Sequence, residues 1–282
     1  MLAKDFKIRA SKSYDIATDD GLTDNQLKTL KEYRDRDNEI GKPLTDNMKN
    51  VLADLEYKLA NPQLPKGCKT YAKQWLKERM FKRRKEMSNK YTDKGNFNEL
   101  DALDLVSRFF QEDMTPYYDT KYVSNDYSEG TCDINHPNLG VTDIKNSWSL
   151  DTFPMFETEL PDLKYGDQIN TYQDLYKNYK TGHVAYVLTD CPLHILEKEL
   201  RFCETDDERQ VKAVNLIFTN EGWFKAKEKL FPNAEPYEFI EIPRKQRIKV
   251  FNIEWDKNKV EKRKKRVEEI RKYIKELLNL QK

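Results

Sequence analysis

Residues 129–148 read EGTCDINHPNLGVTDIKNSW. Two short, apolar-alternating runs flank a turn at Asn135-His136-Pro137-Asn138. The first run carries Asp133; the second, Gly140 to Lys145, carries Asp143 and Lys145. Neighbouring strands bring the ends of two such runs together. Side chains two apart on a strand share a face, so Asp143 and Lys145 point the same way, and Asp133 reaches that face from the adjoining strand. Two carboxylates beside an ammonium suit a hard divalent cation and a polarised water. The same residues also suit an ordinary hairpin whose lysine guards an exposed edge. What lies on either side has to decide between these readings.

Upstream, TDKGNFNELDALDLVSRFF (92–110) reads as one helix starting near Asp93 or Asn96. Leu100, Leu103 and Val106 are its buried candidates, and Phe109 and Phe110 close it. Glu99 is either a solvated helix residue or a carboxylate turned towards Asp133, with Ala102 small enough to permit a close approach. Downstream, residues 147–160 form an aromatic loop or broken helix. Tyr165 to Tyr179 follows with Ile169, Tyr172, Leu175 and Tyr176 at helical spacing. Gln168 and Tyr172 lie four apart on one face of it. An amide and a phenol suit phosphate or base-edge hydrogen bonds, or a polar pair at the edge of the core. Val184 to Leu188 is a buried-strand candidate, closed by the turn at Asp190-Cys191-Pro192.

Further out, helices are expected after Thr23 or Asp24, after Thr45, and from Cys68 to about Met87. The last of these ends in a basic run that includes Lys82, Arg83, Arg84 and Lys85. That run suits a phosphate backbone or a plain solvated surface equally well. Towards the C-terminus the pattern predicts a helix over 194–202, a helix over 206–218 in which VNLIF (214–218) is ambiguous by itself, strands over 239–242 and 247–253, and a helix over 257–280. KRKKR at 262–266 is assigned to the polar face of that last helix.

Composition sets the outer limits. The chain has 282 residues, 38% hydrophobic, 35% charged and 12% aromatic, enough for a packed core. A net charge of +1 makes charge distribution, not its sum, the relevant quantity for nucleic acid. No apolar run has membrane-spanning length, and the start lacks a signal-peptide core. The four cysteines form no Cys-x-x-Cys pair, so a reducing cytoplasm is the expected setting and a structural zinc site is not. Neither a Gly-rich dinucleotide loop nor a GxxxxGK[ST] phosphate loop occurs, which argues against a nicotinamide enzyme or an ATP-driven motor.

In this order the elements resemble the PD-(D/E)xK nuclease superfamily, in its RecB-like and phage exonuclease branch. GNFNE (95–99) resembles the first motif, GTCD (130–133) the second, and DIK (143–145) the (D/E)xK motif. QINTY (168–172) matches the Q-x-x-x-Y signature that follows it. Asp143 stands where many relatives carry Glu, and Cys132 stands where a proline often precedes the aspartate. The resemblance covers roughly residues 90–190.

The resemblance implies an α/β (α+β) fold with a restriction-endonuclease-like core. Its small mixed sheet would be flanked by helices, with helical additions at both ends. The expected divisions are a helical region at 1–88, the nuclease core at 89–256, and a basic amphipathic helix at 257–282 packed on that core. The implied activity is metal-dependent exonucleolytic hydrolysis of linear double-stranded DNA in phage or mobile-element recombination or repair; an endonuclease on the same fold or a non-catalytic nucleic-acid-binding protein is the alternative.

Glu99, Asp133, Asp143 and Lys145 take the catalytic positions. Glu99, Asp133, Asp143 and the Ile144 carbonyl would hold Mg²⁺, or Mn²⁺ as a substitute. Gln168, Tyr172 and Lys82, Arg83, Arg84 and Lys85 would contact DNA. The cysteine spacing does not fit the iron–sulfur cluster that some members of the branch carry. A homo-oligomer and a single-strand annealing partner belong to the same expectation, in the host cytoplasm if the chain is phage-encoded. No membrane association is expected.

Overall fold

The computed structural model describes residues 2–17, 22, 24–38, 43–60, 64–84 and 89–280. The chain folds into two compact units. One takes Met1–Ile8, Lys12–Arg84 and Glu261–Lys282; the other takes Arg9–Ser11 and Lys85–Val260.

A two-residue strand β1 (Ile8–Arg9) precedes helices α1 (Ser13–Ala17), α2 (Asp24–Asp37), α3 (Asp46–Ala60) and α4 (Lys66–Phe81). Leu22, Leu30 and Leu55 form a small core beneath α2 and α3. On α4, the apolar stripe buries Tyr71, Trp75 and Leu76, and Phe6 meets both Tyr71 and Trp75 edge-on. The sequence predicts that α4 continues to about Met87, but it ends at Phe81. Lys82 takes the left-handed conformation, φ 51°, that closes a helix. Thr23, Gly41 and Lys42 lie outside the described residues, as does Lys85.

The second unit begins with α5 (Lys90–Phe97) and α6 (Glu99–Phe110), followed by the strands β2 (Val123–Ser124), β3 (Ser128–Gly130), β4 (Ile134–His136) and β5 (Gly140–Asn146). Then come α7 (Leu163–Tyr176), β6 (Gly182–Val187), α8 (Leu193–Glu199), α9 (Asp206–Ala213), α10 (Asn220–Leu230), β7 (Ile248–Ile253) and α11 (Lys257–Asn279), the last continuing into the first unit. The main sheet has the order β4-β5-β6-β7. The β5/β6 pair is parallel and the other two pairs are antiparallel. The single parallel pair exists because α7 carries the chain back across the sheet between β5 and β6.

All six residues of β6 are buried, and their alternation sorts two helices onto two faces. Val184 and Tyr186 join Ile169, Tyr172 and Leu175 of α7. Ala185 and Val187 join Ala102, Leu103, Leu105 and Val106 of α6. Gly182 lets α7 settle closely: a Cβ there would stand 2.3 Å from Ile169 Cγ2. Gly140, at φ +94°, makes the bend into β5, where a Cβ would meet the Thr181 carbonyl at 2.2 Å.

Several expectations are corrected. The single helix over 93–110 is two, divided at Asn98. Leu100 is 75% exposed, and Leu105 lies in the core instead. Residues 239–242 form no strand, and 214–218 no helix. Arg263 and Arg266 are buried rather than displayed on a polar face. Arg266 instead pairs with Glu269 at 3.0 Å. Among the described residues, no helix is long and apolar enough to cross a membrane.

Candidate active site

The parallel pair β5/β6 brings its carboxyl ends together, and a cleft of about 540 Å³ opens beside them. Glu99, Asp133, Ile144 and Lys145 line it, with Tyr118, Trp148 and Tyr165 among its aromatic walls. Clefts at the carboxyl ends of parallel strands are frequent ligand sites because strand ends and loops converge there.

Asp143 and Lys145 share one face of β5, and they touch: Lys145 Nζ lies 2.5 Å from Asp143 Oδ2. Asp143 is buried, and Oδ2 has this ion-pair neighbour but no well-aligned hydrogen bond. Its other oxygen accepts a hydrogen bond from Gln168 Nε2 at 3.2 Å. Lys145 also stands over the Tyr165 ring, 4.5 Å from its centre. Burial alone would lower the lysine's pKa, but the attraction of Asp143, helped by Asp133, outweighs it and raises the value. Lys145 is therefore an ammonium here.

Asp133 directly precedes β4. Its Oδ2 accepts a hydrogen bond from the Ile144 backbone N–H at 2.6 Å, which fixes it across from Asp143. Desolvation, then repulsion from the Asp143 carboxylate, pushes the Asp133 pKa well above the ordinary carboxylate range. Gly130, in the same motif, permits this arrangement. A Cβ there would lie 3.0 Å from Ala10 Cβ and 3.1 Å from Tyr172 Cε1.

Glu99 opens α6 on the cleft wall. The Tyr118 hydroxyl hydrogen-bonds it; burial first, and then that bond, raises the phenol's pKa. Nothing local in the sequence marks Tyr118, which belongs to a segment with little regular structure.

Gln168 and Tyr172, expected at the DNA, are both buried on α7. Gln168 Nε2 donates to Tyr172 Oη at 2.9 Å as well as to Asp143. One turn on, Tyr176 Oη donates to the Lys121 carbonyl at 2.7 Å and accepts from Cys132 N at 3.4 Å. Thus α7 holds Asp143 through Gln168, and the residue before Asp133 through Tyr176. Lys82, Arg83 and Arg84 are exposed in the other unit, just beyond α4.

Behind the cleft lies a polar cluster that the motif reading missed. Lys94 is almost wholly buried, and its ammonium donates to the Ser147 and Trp148 carbonyls at 2.8 and 3.0 Å. Burial lowers its pKa to about 8. The Asn98 side chain donates to Thr189 Oγ1 at 2.8 Å and to the Asp190 carbonyl at 2.7 Å. The only hint in sequence is that Lys94 and Asn98 stand four apart within one motif-bearing stretch.

Among the described residues, no three or more His, Cys, Asp and Glu side chains gather as a metal-holding group. The Asp133–Asp143 pair nevertheless has the chemistry Mg²⁺ takes, since that ion keeps several waters and needs only one or two protein carboxylates beside a substrate phosphate. The buried Asp143 Oδ2, without an aligned hydrogen bond, is a donor of the required kind.

No protein-family model matches the chain, and no curated protein matches it. Solved structures do. A phage-related exonuclease from Haemophilus somnus 129PT superposes with TM-score 0.63 at 21% identity, over 98% of this chain and 97% of that one. LHK-Exo, an alkaline exonuclease from Laribacter hongkongensis, superposes with TM-score 0.50 at 10% identity, over 99% and 93%. Its complex with dAMP gives TM-score 0.50 at 11% identity, over 99% and 92%. At such identities the likeness is one of fold.

Proposed function

From the premise that this chain has the fold of phage-type and alkaline exonucleases, we propose that it is a Mg²⁺-dependent deoxyribonuclease acting on the ends of linear double-stranded DNA. The observation that carries the proposal is the Asp143–Lys145 pair at 2.5 Å, with Lys145 and Asp133 both lining the cleft. It joins desolvated negative charge, which attracts a cation, to a fixed ammonium, which stabilises a phosphorane-like charge.

Asp133 and Asp143 are the proposed direct ligands, with the Ile144 carbonyl beside them and Glu99 acting directly or through water. When bound, the metal ion supplies Lewis acidity that acidifies the attacking water and offsets charge on the phosphate; Mn²⁺ would substitute. Lys145, kept charged by its raised pKa, does not accept the water's proton and acts instead as a fixed positive charge and hydrogen-bond donor. Its role is to orient the water and neutralise charge as it develops on the phosphoryl oxygens. Gln168 holds the Asp143 carboxylate in line, and Tyr172 holds Gln168. Lys82, Arg83, Arg84 and Lys85 are the proposed backbone contacts, whose contribution should fall with salt. The dAMP held by LHK-Exo fits a mononucleotide product for this chain as well. A homo-oligomer and a single-strand annealing partner extend the same proposal.

The test incubates the chain with matched linear and closed-circular duplexes, in Mg²⁺ or EDTA, beside Lys145→Ala. Metal-dependent loss of the linear DNA alone, slowed at least about 10²-fold in the variant, is expected. Cutting of the circle would move the reading to an endonuclease. Wild-type rates in Lys145→Ala would remove the assigned site.

A further inference from the structure

We propose that Thr189, with Asn98 and Asn146, positions the two sides of the cleft relative to each other, setting Glu99 against Lys145. The inference rests on the nuclease reading above.

The hydroxyl of Thr189 is a hub. Asn98 Nδ2 donates to it at 2.8 Å, and Asn146 Nδ2 lies 2.7 Å from it. The hydroxyl itself donates to Asn146 Oδ1 at 3.0 Å. Each asparagine immediately adjoins a cleft residue: Asn98 precedes Glu99, and Asn146 follows Lys145. Thr189 stands just past the carboxyl end of β6, the strand parallel to β5. One buried oxygen therefore joins the helix corner that presents Glu99 to the strand that presents Lys145.

The backbone makes this link stiff. The Asn98 N–H closes α5 by bonding the Gly95 and Lys94 carbonyls, and its carbonyl opens α6 by accepting from Ala102 N at 2.9 Å. Asn98 itself sits between the helices at φ −101°, ψ 20°. The Asn98 backbone thus belongs to both helix ends, so anchoring its side chain anchors the start of α6, where Glu99 lies. A turn earlier, Lys94 bonds the two carbonyls just beyond β5. The corner is thus tied to the ends of both central strands.

Asp190, next along, is occupied elsewhere. Its carboxylate accepts from Phe218 N at 2.6 Å and Thr219 N at 3.1 Å, and from the Thr219 hydroxyl. It holds the turn into α10, while the Asp190 carbonyl accepts from Asn98 Nδ2 at 2.7 Å; the Thr189 hydroxyl, beside the Lys94 bonds, is the link that meets side chains from both cleft walls. Positional errors of about 1 Å cost about 10²-fold in rate, so such a link has catalytic consequence without touching substrate.

The experiment compares Thr189→Val, which keeps the shape and loses the hydroxyl, with Thr189→Ser, which restores it. Asn98→Ala serves as the second probe. Cleavage of linear duplex is resolved into kcat and KM; Mn²⁺ affinity is followed by electron paramagnetic resonance, and folding by thermal melting. Thr189→Val is expected to lower kcat about 10-fold with KM within about twofold, while Thr189→Ser stays near wild type. Combined with Glu99→Gln, Thr189→Val should add little further loss, and its Mn²⁺ affinity should weaken towards that of Glu99→Gln.

Multiplicative losses in the double variant, or wild-type kcat in Thr189→Val, overturn the inference and leave the nuclease reading intact. Unfolding of both Thr189→Val and Asn98→Ala also overturns it, since the hub would then serve stability alone. If the wild-type chain neither cleaves DNA nor binds Mn²⁺, the nuclease reading falls and takes this inference with it.

Discussion

The cleft and the cluster behind it solve the same problem in opposite ways. Both bury charged side chains at the ends of β5 and β6. In the cluster, Lys94 meets two carbonyls and Asn98 meets a hydroxyl and a carbonyl. At the cleft, Asp133 is pushed towards protonation by desolvation and by the nearby Asp143 carboxylate, which is itself held by Lys145 and Gln168. Buried polar groups are normally satisfied, because leaving one unpaired costs about 1–3 kcal/mol. Satisfaction behind the cleft supports rigidity; at the cleft two like charges are held near each other, and that arrangement suits a cation supplied from outside.

This contrast can be broken by experiment. The largest effect belongs to Lys145. Replacing it with Ala should lower the cleavage rate by about 10²–10³, and it should also weaken the fold, because Asp143 would be left buried without its cation. Activity assays and melting curves on the same preparation check both halves. An unchanged melting curve would mean that water reaches Asp143 easily, and the two regions would then differ less than their burial indicates.

Next comes Gly182, where a side chain would collide with Ile169. Gly182→Ala should cost about 1–3 kcal/mol in denaturant unfolding, through overpacking alone. Cleavage by the folded fraction should change less than in any cleft variant, separating support from chemistry.

A smaller effect of opposite sign is expected for Asp133→Asn in EDTA. It removes the like-charge repulsion with Asp143, so the metal-free chain should melt at a higher temperature while cleavage is lost. A lower melting temperature would mean that the bond from Ile144 N outweighs the repulsion.

The smallest effect is a pH dependence of Lys94. Its pKa is lowered from 10.5 to about 8, so between those values the unfolded chain holds a proton that the folded chain has released. Stability relative to Lys94→Met should therefore rise with pH across that window. The comparison with the variant is needed because buried thiols work the other way: burial raises Cys132 and Cys191 to about 12. A flat difference between pH 8 and 10 would show that Lys94 stays charged throughout, held by its two carbonyls.

Much of this was readable before folding. The two-residue period of 140–145 places Asp143 and Lys145 on one face, and the contact at 2.5 Å is its geometric outcome. The spacing of Gln168, Tyr172 and Tyr176 aligns them along α7. Elsewhere local pattern misled. Leu100 suits an apolar stripe, yet the division at Asn98 resets the helix phase and turns Leu100 outwards. KRKKR reads as part of the polar face of the last helix, but the phase of α11 carries Arg263 and Arg266 inwards with Val260, Val267 and Ile270. Residues 239–242 alternate as a strand does, but among the described residues no neighbouring strand pairs with them. Tyr118 and Thr189 were invisible because their partners lie far along the chain.

By itself, then, the sequence determined the hairpin, the polarity of its faces, the helix that crosses to β6 and the residue types available for hydrolysis. These follow from periodicity and turn chemistry, which act over a few residues. Only the tertiary structure decided which carboxylates become close and desolvated, that Lys145 stays charged, and that the Thr189 hydroxyl meets side chains from both walls of the cleft. Those properties depend on distance and burial, and the chain acquires them only when segments tens of residues apart exclude water from one another.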